Sequence, residues 1–367
     1  MSENKPIDIY DDLLDYYLAL RQPVPNFKEV KEIVKLRFTE KEAQVALNLP
    51  HWYKPGLTST EVASKMGTNS DEMEKLLDRK AREGVFFARE KKDTGEVLYS
   101  LWDFGRLSAF YEKDRTDELI LKIRELREKM WKAGQVHNLF PPSGYPMSRV
   151  IPYPNGIAEG EEITPTDTIE FTIEKTRAIA VAGCPCRSID QRCNHEVMTC
   201  IHFDDMADYF VKYQGGRYLR QEEIKDFAEQ NVKNGLVITL ANYQSIFYGY
   251  CFCDPCCCVI MRPYIEENNS HALDKSNFRP RFNHDKCTRC QKCLKACPVK
   301  AIGKSPAPWG KPKKEDKMFL LKDRCIGCGV CVAQCEFEAL KLYRMDNKVP
   351  EQTPADAIKR NLAERMI

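Results

Sequence analysis

The chain is 367 residues long with 43% apolar and 30% charged side chains, a balance that suits several packed cores and excludes a disordered polymer. Its formal net charge of +2 excludes the strongly basic bulk of a nucleic-acid or anionic-membrane binder. No apolar run reaches the roughly 18 residues that cross a bilayer, and the opening MSENKPIDIYDD is polar and acidic, so a cytoplasmic protein without a membrane span is expected.

Residues 1–55 read as a helical N-terminal segment. Ile9, Leu13, Tyr16, Tyr17 and Leu20 recur at helical spacing, and Val30, Ile33, Val34, Phe38 and Val45 do so after the break at Pro23 and Pro25. Segment 56–140 opens with a capping box, Thr58-x-x-Glu61, before a short helix that Gly67 ends. A second helix runs from Ser70 to Glu83 and stops at Gly84; Val85–Phe87 and Val97–Trp102 flank a turn at Asp93-Thr94-Gly95. Helix, turn, helix and hairpin in that order resemble a winged-helix module, followed by an amphipathic helix from Asp117 to Lys132.

The helix that would face DNA carries Asp71, Glu72 and Glu74 at its leading end, where they would meet phosphates with repulsion. Lys80, Arg82, Arg89, Lys91 and Lys92 offer positive charge toward the hairpin, which keeps a redox-sensing regulator as an alternative. The charge balance argues instead for docking a partner enzyme or for a homodimer through this module.

Seventeen cysteines are the compositional anomaly, and none precedes Cys184. Tight C-x-x-C runs in a long chain point to metal binding in a reducing compartment and away from disulfides. Segment 141–275 begins with a stretch dense in proline and glycine, from Pro141 to Pro165, which forbids helix and marks a domain boundary. It then holds nine cysteines: Cys184, Cys186, Cys193, Cys200, Cys251, Cys253, Cys256, Cys257 and Cys258. Thiols one residue apart suit loops wrapped around a metal, and thiolate-only surroundings select soft metals or Fe–S clusters. Cys184, Cys186, Cys193 and Cys200 are expected to supply one side of a site and Cys251–Cys258 the other, with at least one further Fe–S cluster, zinc and free thiols being the alternatives. His195 and His202 are secondary candidates, Arg187 could hydrogen-bond cluster sulfurs, and Tyr248, Tyr250 and Phe252 could shield a cluster or simply form core.

Segment 276–345 contains Cys287-x2-Cys290-x2-Cys293-x3-Cys297-Pro298 and Cys325-x2-Cys328-x2-Cys331-x3-Cys335. A loop of three closely spaced thiolates wraps three corners of a cubane, and the fourth corner is reached from the other run. Cys287, Cys290, Cys293 and Cys335 are therefore assigned to one [4Fe–4S] cluster, and Cys325, Cys328, Cys331 and Cys297 to the other. Zinc gives no reason for a third cysteine at the same step. Glu336 stands where the first run has Pro298, and Lys300, Lys304, Lys311, Lys313, Lys314 and Lys317 between the runs form either a solvated loop or a flap that steers an acidic partner. Thr353 and Pro354 signal a C-terminal helix within 346–367.

These runs resemble the bacterial two-cluster ferredoxin. Together with Cys184-Pro185-Cys186-Arg187, Asn234-Gly235-Leu236-Val237 and the 251–258 run, they resemble a family of ferredoxin-fused proteins of anaerobic microbes. That resemblance implies redox chemistry with an additional metal centre and brings no substrate. The expected fold class is α+β multidomain: helical N-terminus with winged-helix-like module, cysteine-rich α/β central domain and C-terminal ferredoxin. The expected function is relay of low-potential single electrons to or from a partner oxidoreductase. An oxidoreductase with its own substrate site at the central centre is the alternative; no catalytic residue is assigned, and no G-x-G-x-x-G or Walker A run is present.

Overall fold

The computed structural model describes residues 8–20, 28–112, 116–133, 144–245, 249–305 and 317–365. The chain divides into two compact units, Met1–Leu139 with Ala182–Gln191 and Asp205–Arg217, and Phe140–Val181 with Arg192–Asp204 and Tyr218–Ile367.

In the first unit, α1 (Ile9–Ala19) is capped by the Asp8 carboxylate. The helical pattern through residues 30–45 resolves into α2 (Lys28–Arg37) and α3 (Glu40–Asn48). The division falls at Thr39, which forms a reciprocal capping box with Glu42. The expected box at Thr58 and Glu61 opens α4 (Ser59–Met66), and Gly67 closes it at φ +65°. Asn69 then caps α5 (Ser70–Arg82), and β1 (Phe86–Glu90) pairs antiparallel with β2 (Val97–Leu101), Phe86 facing Leu101. Leu57 bridges Tyr99 on the hairpin, and α6 (Glu118–Lys132) follows with Asp117 as its cap. Phe87, Trp102 and Tyr209 pack as an aromatic core, with ring centroids 4.8 Å apart for the first pair and 5.5 Å for the second.

The basic residues toward the hairpin are ion-paired. Lys80 is buried and donates to the Arg37 carbonyl at 2.6 Å and to Glu83 at 2.6 Å, while also facing Glu42 at 3.3 Å. Burial alone would raise the Glu42 pKa, yet the Thr39 amide, Arg79 and Lys80 together hold it below its ordinary value. Arg82 pairs with Asp78, Arg89 with Asp205, Lys91 with Glu96 and Lys92 with Asp208, at 2.5–2.9 Å.

The expected extended stretch contains β3 (Ser148–Val150) and short 3-10 turns at Pro154–Gly156 and Pro165–Asp167. There follow α7 (Glu170–Ile173), β4 (Ile179–Gly183), α8 (Pro185–Asp190), β5 (Met198–Phe203), α9 (Asp204–Tyr213), β6 (Arg217–Tyr218) and α10 (Gln221–Lys233). Asn234 and Gly235 end α10 and lead into β7 (Val237–Ala241), which lies antiparallel between β3 and β8 (Cys251–Cys253). The other three-stranded sheet has the order β5-β4-β6.

After α11 (Met261–Glu266), β9 (Phe278–Phe282) pairs with β12 (Leu340–Arg344), Phe282 opposite Leu340 and Phe278 opposite Arg344. Between them lie α12 (Lys292–Ala296), β10 (Ile302–Lys304), β11 (Met318–Leu320) and α13 (Val330–Ala333), β10 and β11 forming a hairpin. The last helix, α14 (Pro354–Arg365), begins as its signal promised, with Thr353 Oγ1 accepting from the Asp356 amide at 3.2 Å. Among the described residues no helix is long and apolar enough to cross a membrane.

Candidate metal centres

The β9–β12 pair brings the start of one cysteine run beside the end of the other. Cys287, Cys290, Cys293 and Cys335 line one cavity together with Phe282, Met318, Phe337 and Leu340. Cys335 thus sits with the first run and apart from its own. Cys297 is the counterpart: its charge acts on Cys325, Cys328 and Cys331, the three thiols of the second run. The two groups adjoin, since Cys331 on α13 also lies within electrostatic reach of Cys293 on α12. An all-thiol donor set against apolar walls fits Fe–S clusters.

Burial pushes the Cys293 thiol up to about 11 and the Cys328 and Cys331 thiols higher still, because a lone thiolate there would lose its hydration. The backbone prepares sulfur ligation at matching places. Ala301 N–H donates to Cys297 Sγ at 3.1 Å and Ala339 N–H to Cys335 Sγ at 3.3 Å, each four residues beyond the last cysteine of its run.

Left-handed backbone recurs at matching places too. Arg289 (φ +63°) and Gln291 (φ +64°) correspond to Gly327 (φ +71°) and Gly329 (φ +81°), and Lys300 (φ +51°) to Glu338 (φ +48°). The second run needs its glycines. A Cβ at Gly327 would lie 2.0 Å from the Phe278 carbonyl oxygen, and one at Gly329 would lie 2.6 Å from Tyr153 Cβ.

Residues 286–339 match the family model of the 4Fe–4S dicluster domain. The chain is 35% identical over 74 residues to the ABC transporter E family member 1 of Arabidopsis thaliana and 34% identical over 90 residues to Protein Pixie of Drosophila melanogaster. Those matches take in 19% and 23% of this chain, and only 12% and 14% of the two relatives. The pyruvate synthase subunit PorD of Methanothermobacter marburgensis is 33% identical over 67 residues, which is 18% of this chain and 68% of PorD. The chain belongs, through this segment, to the 4Fe–4S dicluster proteins.

Outside the dicluster domain, the nine central cysteines are distributed over both units. Cys184 and Cys186 belong to the first unit, where Cys184 precedes α8 and Pro185 takes the first helical position. Arg187 is buried in the same helix. Cys200 is buried on β5, and His202, two residues on, is buried as well. Cys251 and Cys253 correct the expectation that such a pair must sit in a loop: both lie on β8. Strand alternation puts residues i and i+2 on one face, so a strand can present two thiols together while Phe252 turns into the core. Cys253 Sγ lies 3.1 Å from Cys258 Sγ and 3.2 Å from Thr239 Oγ1, and the closeness of Cys251 and Cys258 helps drive its pKa well up.

Cys193, Cys256 and Cys257 come together in the second unit, and their fourth member is Asp254, which sequence reasoning passed over. Asp254 Oδ1 accepts the amides of Cys256 at 3.0 Å and Cys257 at 2.7 Å and faces the Cys256 thiol at 2.9 Å. A carboxylate inside Cys-Phe-Cys-Asp-Pro-Cys-Cys-Cys was the available signal. Neither His195 nor His202 joins this group. Tyr250 and Phe252 are core, the Tyr250 hydroxyl bonding Thr172 at 2.6 Å. Tyr248, Lys311, Lys313 and Lys314 lie outside the described residues.

Proposed function

We propose that this protein carries single low-potential electrons between a donor and a partner oxidoreductase in anaerobic metabolism. Cys287, Cys290, Cys293 and Cys335 would hold one [4Fe–4S] cluster, and Cys325, Cys328, Cys331 and Cys297 the other. The observation that carries the reading is the exchange of the last cysteines between runs, which locks two thiol groups side by side. When bound, such clusters supply reversible one-electron transfer at low potential. The chain's own part is to hold the thiolates, donate the Ala301 and Ala339 amides to sulfur, and keep water from the inner site. A further thiolate-bound metal centre in the central segment belongs to this reading.

The α4–α5–hairpin module serves, on this reading, to dock a redox partner or a second copy. The ion pairs that hold Lys80, Arg82, Arg89, Lys91 and Lys92 weigh against DNA, because phosphate binding would have to displace acidic partners already in place. Iron and sulfide analysis with EPR on protein purified without oxygen is the test: about eight irons and reduced-cluster signals from the dicluster domain are expected. Colourless protein holding zinc at those cysteines ends the proposal.

One observation favours a second reading, an oxidoreductase with its own substrate. A polar cavity in the second unit is lined by Arg149, Lys275, Lys348 and Arg360 together with the carboxylates of Asp167, Asp274 and Glu364. Burial lowers the pKa of both Arg149 and Lys275, and the Cys325 charge reaches Lys275. A small anion bound there would lie beside the second cluster; perturbation of one cluster's EPR signal by carboxylates or phosphates would support it.

A further inference from the structure

We propose that Cys193, Asp254, Cys256 and Cys257 bind one divalent ion of the zinc or ferrous class, not a cluster. The inference deepens the reading of a thiolate-bound centre in the central segment and rests on it.

Spacing carries the argument. Ligands about 2.3 Å from a single ion stand about 3.8 Å apart at the corners of a tetrahedron. Cys193 Sγ is 3.8 Å from Cys257 Sγ, and Cys256 Sγ is 3.9 Å from Cys257 Sγ. All four donor atoms lie within 4.8 Å of one another. A cubane carries one thiolate on each of four irons and so spreads its ligand sulfurs more widely. The dicluster domain supplies the internal control: among the described residues, none of its eight thiols hydrogen-bonds to another, whereas the central thiols do.

The loop is built to hold this shape. Asp254 accepts two amides of the following turn, fixing where the Cys256 and Cys257 side chains leave the backbone. The Arg192 amide donates to the Cys257 sulfur, an outer contact of the kind that orients metal thiolates. Binding releases the three thiol protons to solvent. Three thiolates and one carboxylate around a divalent ion leave two negative charges, so the ion relieves most of the repulsion that the bare ligands would suffer. Cys251, Cys253 and Cys258 stay outside this set, as does Cys200.

The test uses the full chain, purified without oxygen, with metals counted by mass spectrometry and acid-labile sulfide counted in the same sample. One metal ion beyond the dicluster iron, with no sulfide to match it, is expected. Cys257→Ser should lose that ion and keep the cluster iron, the sulfide and the dicluster EPR signal. Cys193→Ser, at a half-buried position less critical for folding, should do the same. Asp254→Ala should lose the ion, and Asp254→Cys should keep it. Zinc would be colourless and replaceable by cobalt with a sulfur-to-metal absorption band; iron would show a sulfide-free ferric chromophore on oxidation. Either identity supports the site. Loss of iron and sulfide in equal amounts on Cys257→Ser or Cys193→Ser would mean a cluster and overturn the inference, as would unchanged metal content in both. Absence of dicluster iron and sulfide from the wild-type sample would instead sink the electron-carrier reading.

Discussion

The two thiol groups of the dicluster domain are built from the same pattern and meet water differently. On the first, Cys290 is exposed and Cys287 and Cys335 are half-buried. On the second, Cys325, Cys328 and Cys331 are each 7–8% exposed. The difference lies in what covers each loop. Arg289 and Gln291 hold the left-handed positions of the first run at the surface, while Gly327 and Gly329 hold those of the second against Phe278 and Tyr153. On the proposed electron-carrier reading, the open site would suit exchange with a partner and the closed one onward transfer, a difference set by packing and not by ligand identity.

The largest effect should come from Gly327→Ala. With no room for a Cβ and a φ of +71°, the second site should fail to assemble, leaving about half of the eight dicluster irons. Arg289→Ala at the matching place should keep them all; iron and sulfide analysis separates the two, and equal retention in both would break the comparison. Next in size is the response to a strong iron chelator. Loss should be biphasic, the open site emptying several-fold faster, and Cys290→Ser should abolish the fast phase in stopped-flow absorbance. A single phase would mean that the two sites meet solvent alike.

A smaller effect is expected in potentiometry. Raising ionic strength from 0.01 to 1 M shrinks the screening length from about 30 to about 3 Å, which should shift the potential of the open site and leave the closed one nearly fixed. Smallest of all is Glu336→Gln. The Lys292–Glu336 pair beside the open site is exposed on both sides, so its loss should not move the denaturant midpoint measurably. A clear shift would show that Glu336, where the first run has proline, secures the loop.

Sequence alone made the locally encoded parts legible. The C-x2-C-x2-C-x3-C runs, the Thr58 capping box, the helix beginning at Asp117 and the Thr353–Pro354 helix start are short-range patterns whose geometry a few residues determine. Thr39 was readable in principle, since it repeats the Thr-x-x-Glu box, but continuous apolar spacing hid the break. The central site resisted for other reasons. Asp254 looks like any turn-forming aspartate until its amide partners are known, and the pairing of Cys193 with Cys257 depends on how residues 64 positions apart meet. The Cys251–Cys253 pair misled because a metal loop and a strand face impose the same spacing of thiols.

The proline-rich stretch near residue 150 looked like a connector. In the structure Tyr153 N–H donates to the Cys328 carbonyl at 3.0 Å, Gly156 packs beside Val332, and Ile157 bridges Leu342. Residues 153–157 are therefore a lid on the inner site, supplied from far upstream. Excising 276–345 as a stand-alone ferredoxin would strip that lid away and level the two sites. The pattern can be transplanted into another protein as a motif, but its asymmetry cannot travel without the strap that creates it.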